Sequence, residues 1–135
     1  MKTFFRLPML ITVVLLVVIS SCKQDEPEVV IDARDAFIGT WNVSDQQITK
    51  QNYQVYVYKD ENNSVKIWMK NFHGTSDTAF AYIEEKNITI SNQTLSSSHL
   101  VASGSGLMTG TTKIDIDYYI NDGAQQDTIV ARYTK

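Results

Sequence analysis

After residue 35 the sequence follows a period of two, in which apolar and polar residues alternate within short segments separated by polar turns. This alternation is typical of β-strands with one face in a core and the other in water, and no segment sustains the 3.6-residue period of an amphipathic helix. Short strands at a spacing of roughly 8–12 residues indicate an all-β sandwich or barrel. The predicted strands are Thr40–Val43, Tyr53–Tyr58, Val65–Asn71, Thr78–Ile83, Ile88–Ser91, His99–Ser105, Lys113–Ile120 and Thr128–Thr134.

Hairpin-length turns between these strands favour an antiparallel, up-and-down order. Closing eight such strands on themselves removes the exposed sheet edges. We therefore predict a small antiparallel up-and-down β-barrel of about eight strands over residues 35–135, with a helical turn at Asp35-Ala36-Phe37 covering one end. Gly104 and Gly106 share one strand face, which favours strand curvature or close packing over space for a ligand.

The beginning of the chain is typical of a secretory signal peptide. A short basic start containing Lys2 and Arg6 precedes the apolar run Leu7–Ile19, which is shorter than the ~20 residues that a membrane-spanning helix needs. The run ends in Ile19-Ser20-Ser21-Cys22, which resembles the lipobox of bacterial lipoproteins. The resemblance implies cleavage before Cys22 and acylation of its thiol and its amine, and two or three acyl chains hold a protein stably on a membrane.

The residues after Cys22 indicate on which face of the outer membrane the protein is expected. Asp25, Glu26 and Glu28 follow it closely, and this resembles the signal that sends some Gram-negative lipoproteins to the outer face of the outer membrane. The alternative is the periplasmic face, with the acidic stretch acting as a solvated linker. The expected organisation is a cleaved signal helix over 1–21, a lipidated Cys22 with a disordered acidic tether over 22–34, and the barrel over 35–135.

Composition argues against several classes of function. A formal net charge of −3 disfavours a nucleic-acid-binding protein. The chain has only one Cys and two His, too few ligands to favour a transition-metal site or a redox site. We predict no catalytic residue, no metal and no cofactor. A hydrolase in which His73 or His99 faces Asp115 or Asp117 is the less favoured alternative, since no Gly-x-Ser-x-Gly elbow accompanies either histidine.

The first predicted strand, Thr40–Val43, contains Trp41 and directly follows Phe37-Ile38-Gly39. Gly39 and Trp41 resemble the Gly-x-Trp of the calycin barrels, which include lipocalins, fatty-acid-binding proteins and avidins. Residues 35–135 are similar to small bacterial lipocalin-like lipoproteins, and the resemblance lies in four segments: Asp35–Trp41, Asn87–Ile90, Ser103–Gly106 and Asp127–Lys135. In calycins a basic residue of the last strand packs across the Trp and closes the barrel floor, so the resemblance implies that role for Arg132. It brings no catalytic residue.

Three aromatic residues form the candidate binding surface. Tyr56 and Tyr58 alternate with valines, and Trp68 lies between Lys66 and Lys70. If the aliphatic residues of these strands, Val65 among them, point inward, the aromatic rings lie outside on adjacent strands and form a surface for a sugar or a partner protein. A register slip of one residue would instead turn the tyrosines into the barrel. The outward orientation is favoured because two lysines share the face of Trp68.

The predicted function is that of an anchored, non-catalytic binding or accessory module. Its ligand is a small apolar molecule or a glycan, or else a partner protein of the envelope. The alternative is a structural envelope protein or inhibitor whose packed barrel takes no small ligand. Asp77-Thr78-Ala79 and Asp127-Thr128-Ile129 resemble a bacterial O-glycosylation acceptor, and the sequence leaves open whether Thr78 or Thr128 is modified.

Overall fold

The computed structural model describes residues 29–46 and 51–135. Within the compact unit Ile31–Lys135, eight antiparallel strands follow one another in chain order, and the first pairs with the last to close a barrel. The strands are β1 (Gly39–Asp45), β2 (Asn52–Lys59), β3 (Lys66–Phe72), β4 (Asp77–Glu84), β5 (Asn87–Thr94), β6 (Val101–Met108), β7 (Lys113–Asn121) and β8 (Gln126–Thr134). The predicted all-β, up-and-down barrel is therefore confirmed. The predicted signal peptide, Cys22 and the tether up to residue 28 lie outside the described residues.

The core lies inside the barrel, and strand alternation decides which side chains enter it. In β7 the residues Ile114, Ile116, Tyr118 and Ile120 are buried, and the residues between them are exposed or half-buried. The same rule holds on β1, where burial alternates from Trp41 onward. Within the described residues, no helix is long and apolar enough to cross a membrane.

One end of the barrel is covered by a 3₁₀ turn, Ala33–Ala36. Arg34 of this turn is 8% exposed, and its Nη1 donates to the carbonyl oxygens of Asp60, Asn63 and Lys66 at 2.7–3.2 Å. These bonds tie the turn to the connection between β2 and β3. The ordered unit therefore includes Arg34, which the sequence analysis assigned to the tether.

The closure of this end differs from the expectation in one residue. Trp41 is fully buried and its Nε1 donates to the carbonyl oxygen of Phe37 at 2.7 Å. The cation over the indole is Lys135, whose Nζ lies 4.2 Å from the ring centroid, a contact that contributes about 0.5–2 kcal/mol. Arg132 does not cover the Trp41 ring. It points outward and its Nε lies 3.6 Å from Asp115, because Tyr133 next to it takes the inward position on β8.

Gly39 shows why the closure involves the end of the chain. Its φ of 114° is a conformation that L side chains rarely adopt. A Cβ built there would lie 3.7 Å from the Lys135 side chain, whose Nζ also donates to the Ile38 carbonyl oxygen at 2.7 Å. Gly39, Trp41 and Lys135 thus form one contact group at the covered end.

Candidate functional site

The outer face of β2, β3 and β4 carries a band of aromatic side chains, which we call the aromatic face. Tyr58 lies opposite Trp68 in the β2–β3 ladder, and Trp68 lies opposite Phe80 in the β3–β4 ladder. These three rings form one row across three neighbouring strands. Tyr56 and Tyr82 flank the row on β2 and β4, and the five residues define the aromatic face.

The burial of the neighbouring residues establishes that these rings point outward. Val57 and Met69 form a directly opposed pair, 2% and 1% exposed, so Tyr58 and Trp68 next to them must face the other way. The outward orientation favoured from the sequence is the one observed. Val65 was expected inside the barrel but is 47% exposed, because it belongs to the turn before β3.

Polar contacts hold the central ring of the face. The Trp68 Nε1 donates to Asp60 Oδ2 at 2.8 Å, and the Lys66 Nζ lies 4.1 Å from the Trp68 ring centroid and 4.7 Å from that of Phe80. Hydrogen bonds from the Asn62 amide and from the Trp68 indole lower the pKa of Asp60. These hydrogen bonds thereby favour the charged form of the Asp60 carboxylate.

The tyrosines form the more accessible part of the face. Tyr56 is 50% exposed and Tyr58 is 37% exposed, and their rings stack with centroids 5.9 Å apart. On the other side, Phe80 meets Trp68 and Tyr82 edge to face at 5.9 and 5.8 Å. Such offset and edge-on pairs are favourable ring geometries, so the rings support one another within two groups, Tyr56 with Tyr58 and Trp68 with Phe80 and Tyr82.

At Phe80 a side chain takes the place of backbone pairing between β4 and β5. The β4–β5 pairing extends only from Glu84 to Tyr82 on the β4 side. Beyond it, the Phe80 amide donates to Gln93 Oε1 at 2.9 Å, and Gln93 Nε2 donates to the Phe80 carbonyl oxygen at 2.8 Å. The Gln93 amide thereby satisfies both backbone groups of Phe80 and keeps this edge of the aromatic face in place.

Phe80 and Tyr82 were not among the predicted site residues. The alternation of β4 carries the signal for them, because Ala79 and Ala81 are buried and residues between inward positions face out. The sequence did not reveal the alignment of β4 with β3, which brings Phe80 opposite Trp68.

A cleft of about 330 Å³ lies beside the aromatic face on β1 and β2, and we call it the amide cleft. Gln54 is the next outward residue after Tyr56 on β2, and its Nε2 donates to Asn42 Oδ1 at 3.0 Å across the ladder. Amide side chains offer both donors and acceptors. The cleft is lined by Asn42, Val43, Ser44, Asn52, Tyr53, Gln54 and Thr134.

The residues considered for catalysis or metal binding lie apart from this surface. His73 Nδ1 lies 2.8 Å from the Tyr118 hydroxyl, inside the end of the barrel opposite the 3₁₀ turn. Asp115 lies on the outside of β7 and pairs with Arg132. In the part of the chain that the structure describes, no three His, Cys, Asp or Glu side chains come together to hold a metal ion.

The sequence matches no family model and no curated protein. Similar solved structures exist. The redesigned β-barrel mFAP1 bound to DFHBI has a TM-score of 0.58 at 13% identity, covering 78% of this chain and all of that chain. The redesigned barrel b11L5F_LGL has a TM-score of 0.55 at 12% identity, covering 78% of this chain and 96% of that chain.

A third structure, EF1p2_mFAP2b bound to DFHBI, has a TM-score of 0.54 at 15% identity, and the alignment covers 77% of this chain and 97% of that chain. Identities this low establish a shared eight-stranded barrel fold and nothing finer. A shared fold by itself does not establish a shared function.

Proposed function

We propose that the protein is an acyl-anchored lipoprotein of the outer membrane, facing the cell surface, that acts as a non-catalytic binding module for glycans. The observation that carries the glycan proposal is the adjacency of the aromatic face and the amide cleft on the outer surface of β1–β4. The anchor and the location rest on Cys22 and the residues around it.

Sugars present two kinds of surface, and this region offers a partner for each. The C–H face of a pyranose ring is apolar and stacks on exposed aromatic rings such as Tyr56 and Tyr58. Sugar hydroxyls both donate and accept hydrogen bonds, as the side-chain amides of Asn42 and Gln54 also do. A volume of about 330 Å³ lies at the lower end of small-molecule sites, which span roughly 300–1,000 Å³.

Packing inside the barrel supports an external site over an apolar ligand carried at the covered end. Five large side chains there are at most 2% exposed: Trp41, Ile88, Ile90, Ile114 and Ile116. Barrels of eight strands have interiors that side chains nearly fill. The same burial favours the second candidate, a structural envelope protein or inhibitor that takes no small ligand. The similar barrels solved with DFHBI support the more general view that this fold can hold a small molecule.

The glycan proposal predicts saturable binding of soluble oligosaccharides by the purified full-length protein. We expect chitotetraose or maltotetraose to bind, and the double substitution Tyr56→Ala/Tyr58→Ala to weaken binding by about tenfold or more, which corresponds to about 1.4 kcal/mol. Isothermal titration calorimetry measures the affinity. Tyr119→Ala is the matched control, because Tyr119 is 47% exposed but lies on β7. Equal affinity in the double variant and the control would show that the aromatic face is not part of the binding site.

The anchor proposal predicts acyl chains on Cys22, each contributing about 0.8 kcal/mol per buried CH₂ to membrane binding. Metabolic labelling with palmitate should label the wild-type protein and not Cys22→Ser. Labelling is the suitable measurement, because Cys22→Ser also removes the implied cleavage point and would keep the apolar run Leu7–Ile19 attached. Protease shaving of intact cells then tests which face of the membrane carries the barrel. Wild-type protein that takes up no label, or a Cys22→Ser protein that is labelled equally, contradicts the anchor.

A further inference from the structure

An exposed positive charge lies next to the tyrosines of the aromatic face. Lys70 of β3 is directly opposite Tyr56 in the β2–β3 ladder and opposite Thr78 in the β3–β4 ladder. Lys70 and Trp68 share the outer side of β3, because Met69 between them is buried. Residues directly opposite in an antiparallel ladder are close neighbours on one face, so Lys70 and Tyr56 belong to one surface.

Two lysines lie on the outer side of β3, and they differ in how their charge is compensated. The Lys66 Nζ lies 3.7 Å from Asp60 Oδ2 and over the rings of Trp68 and Phe80. Lys70 is exposed, and among the described residues it forms no ion pair with a carboxylate. Lys70 therefore supplies the positive charge on this face that is available to a ligand.

The neighbouring strands place no exposed carboxylate beside this charge. The only carboxylate within β1, β2 and β3 is that of Asp45, which is completely buried. On β4 the exposed carboxylate is that of Glu84, the last residue of the strand, about 20 Å from Thr78 at the rise of a β-strand. The whole chain, in contrast, has 15 acidic and 12 basic residues. The surface around Lys70 is thus locally positive on an acidic protein.

This combination of groups fits a sugar that carries a carboxylate. A hexuronic acid has the same apolar C–H face as a neutral hexose, and its carboxylate projects from the rim of the ring. A ring stacked on Tyr56 would therefore direct its carboxylate towards neighbouring side chains such as Lys70. The lysine ammonium is a compact charge on a flexible stem, and it balances one carboxylate. A phosphate carries nearly two negative charges at neutral pH and would require a further cation.

We propose that the glycan bound by the aromatic face is acidic and contains uronic acid residues whose carboxylate pairs with Lys70. This inference rests on the proposed glycan function and adds the class of glycan to it. The hydroxyl groups of the same oligosaccharide reach the side-chain amides of the amide cleft, which adjoins Tyr56 along β2. The observation that carries the inference is an exposed, uncompensated ammonium group directly opposite an exposed tyrosine.

The test compares tetragalacturonate and tetramannuronate with their methyl esters, which keep the sugar chain and lose its charge. Isothermal titration calorimetry with the full-length protein measures the affinities. We expect at least one acid to bind about fivefold more tightly than its ester, the size of effect that one exposed ion pair produces. The preference should decrease as the ionic strength rises from about 0.01 M to about 0.15 M, because salt screens exposed charges.

Charge substitutions show whether the preference depends on this one lysine. Lys70→Gln should bind acid and ester equally, and Lys70→Arg should retain the preference for the acid. Lys86→Gln is the matched control, because Lys86 is exposed in the turn between β4 and β5 and its substitution changes the net charge by the same amount. A loss confined to Lys70→Gln separates a local ion pair from attraction by the protein as a whole.

The inference is overturned if the wild-type protein binds both acids no more tightly than their esters, if Lys70→Gln keeps the preference, or if Lys86→Gln loses it equally. Tetraglutamate that binds as tightly as the acidic oligosaccharide also overturns it, since the site would then serve an acidic peptide. If chitotetraose or maltotetraose binds through Tyr56 and Tyr58 while the acids show no preference, only the acidic class is wrong. If none of these oligosaccharides binds, the proposed glycan function fails as well.

Discussion

Gly104→Ala is expected to destabilise the barrel by about 3 kcal/mol, at the upper end of the usual penalty for overpacking a core. Gly104 lies opposite Tyr118 in the β6–β7 ladder. A Cβ at this position would overlap the Tyr118 Cβ and would lie 2.5 Å from the Asp117 carbonyl oxygen and 2.6 Å from the Tyr118 Cα. Because most of these atoms are backbone or directly attached to it, a rotamer change cannot relieve the overlap, and the two strands must separate.

Equilibrium urea unfolding, followed by tryptophan fluorescence, measures this effect through the transition midpoint. Gly110→Ala provides the matched control, because a Cβ at Gly110 has no neighbour within 4 Å. The control should change stability by less than about 1 kcal/mol. If Gly104→Ala unfolds at the same urea concentration as Gly110→Ala, the close approach of β6 and β7 is wrong.

Asp77→Asn is expected to cost about 3 kcal/mol at pH 7, as for other charged hydrogen-bonded groups. Asp77 is 2% exposed, and its two oxygens accept hydrogen bonds from the Ser97 amide at 2.6 Å, the Ser98 amide at 3.1 Å and the Thr75 hydroxyl at 3.0 Å. It therefore fastens the connection between β5 and β6 to the start of β4. Asparagine has one acceptor oxygen, so its NH₂ group would face a donor and leave a buried amide unpaired.

The same contacts make this stabilisation depend on pH. Burial tends to raise the pKa of Asp77, but hydrogen bonds from Ser98, Ser97 and Thr75 outweigh it and lower the pKa from 3.8 to about 2. A lowered pKa in the folded state stabilises the fold at pH values above 3.8, and this stabilisation is lost as the pH falls towards 2. The difference in urea midpoint between wild type and Asp77→Asn should accordingly shrink between pH 4 and pH 2.

Substitution of an exposed carboxylate is the control for the pH dependence expected of Asp77→Asn. Asp117 lies on the outer face of β7, and Asp117→Asn should leave the midpoint nearly unchanged at every pH. If the difference in urea midpoint between wild type and Asp77→Asn stays constant down to pH 2, these hydrogen bonds do not stabilise the Asp77 carboxylate.

The strands were predictable because alternation is a local property. Ile114, Ile116 and Tyr118 repeat every second residue, and a strand buried on one face requires that spacing. The inward glycines of β6 were likewise read as packing features, and Gly104 does approach its neighbour closely. The sequence did not identify that neighbour as Tyr118, since the pairing of β6 with β7 is not encoded in either segment alone.

The candidate site was predictable in part for the same reason. Tyr56, Tyr58 and Trp68 could be placed outside from the pattern of their own strands, although the choice of register needed an argument from the lysines. His73 was considered from the sequence only in the less favoured hydrolase alternative, and its contact with Tyr118 joins residues 45 positions apart. No local pattern reports such a contact.

The sequence by itself determined what each segment of the barrel does locally: which residues form strands and which of their side chains face inward. The tertiary structure alone decided which side chains meet across strands. It placed Lys135 instead of Arg132 over Trp41, aligned Phe80 with Trp68, and brought His73 within hydrogen-bond distance of the Tyr118 hydroxyl. The physical reason is that side-chain direction follows from the two-residue period within one strand, whereas neighbours depend on register and closure, which the packing of the whole barrel sets.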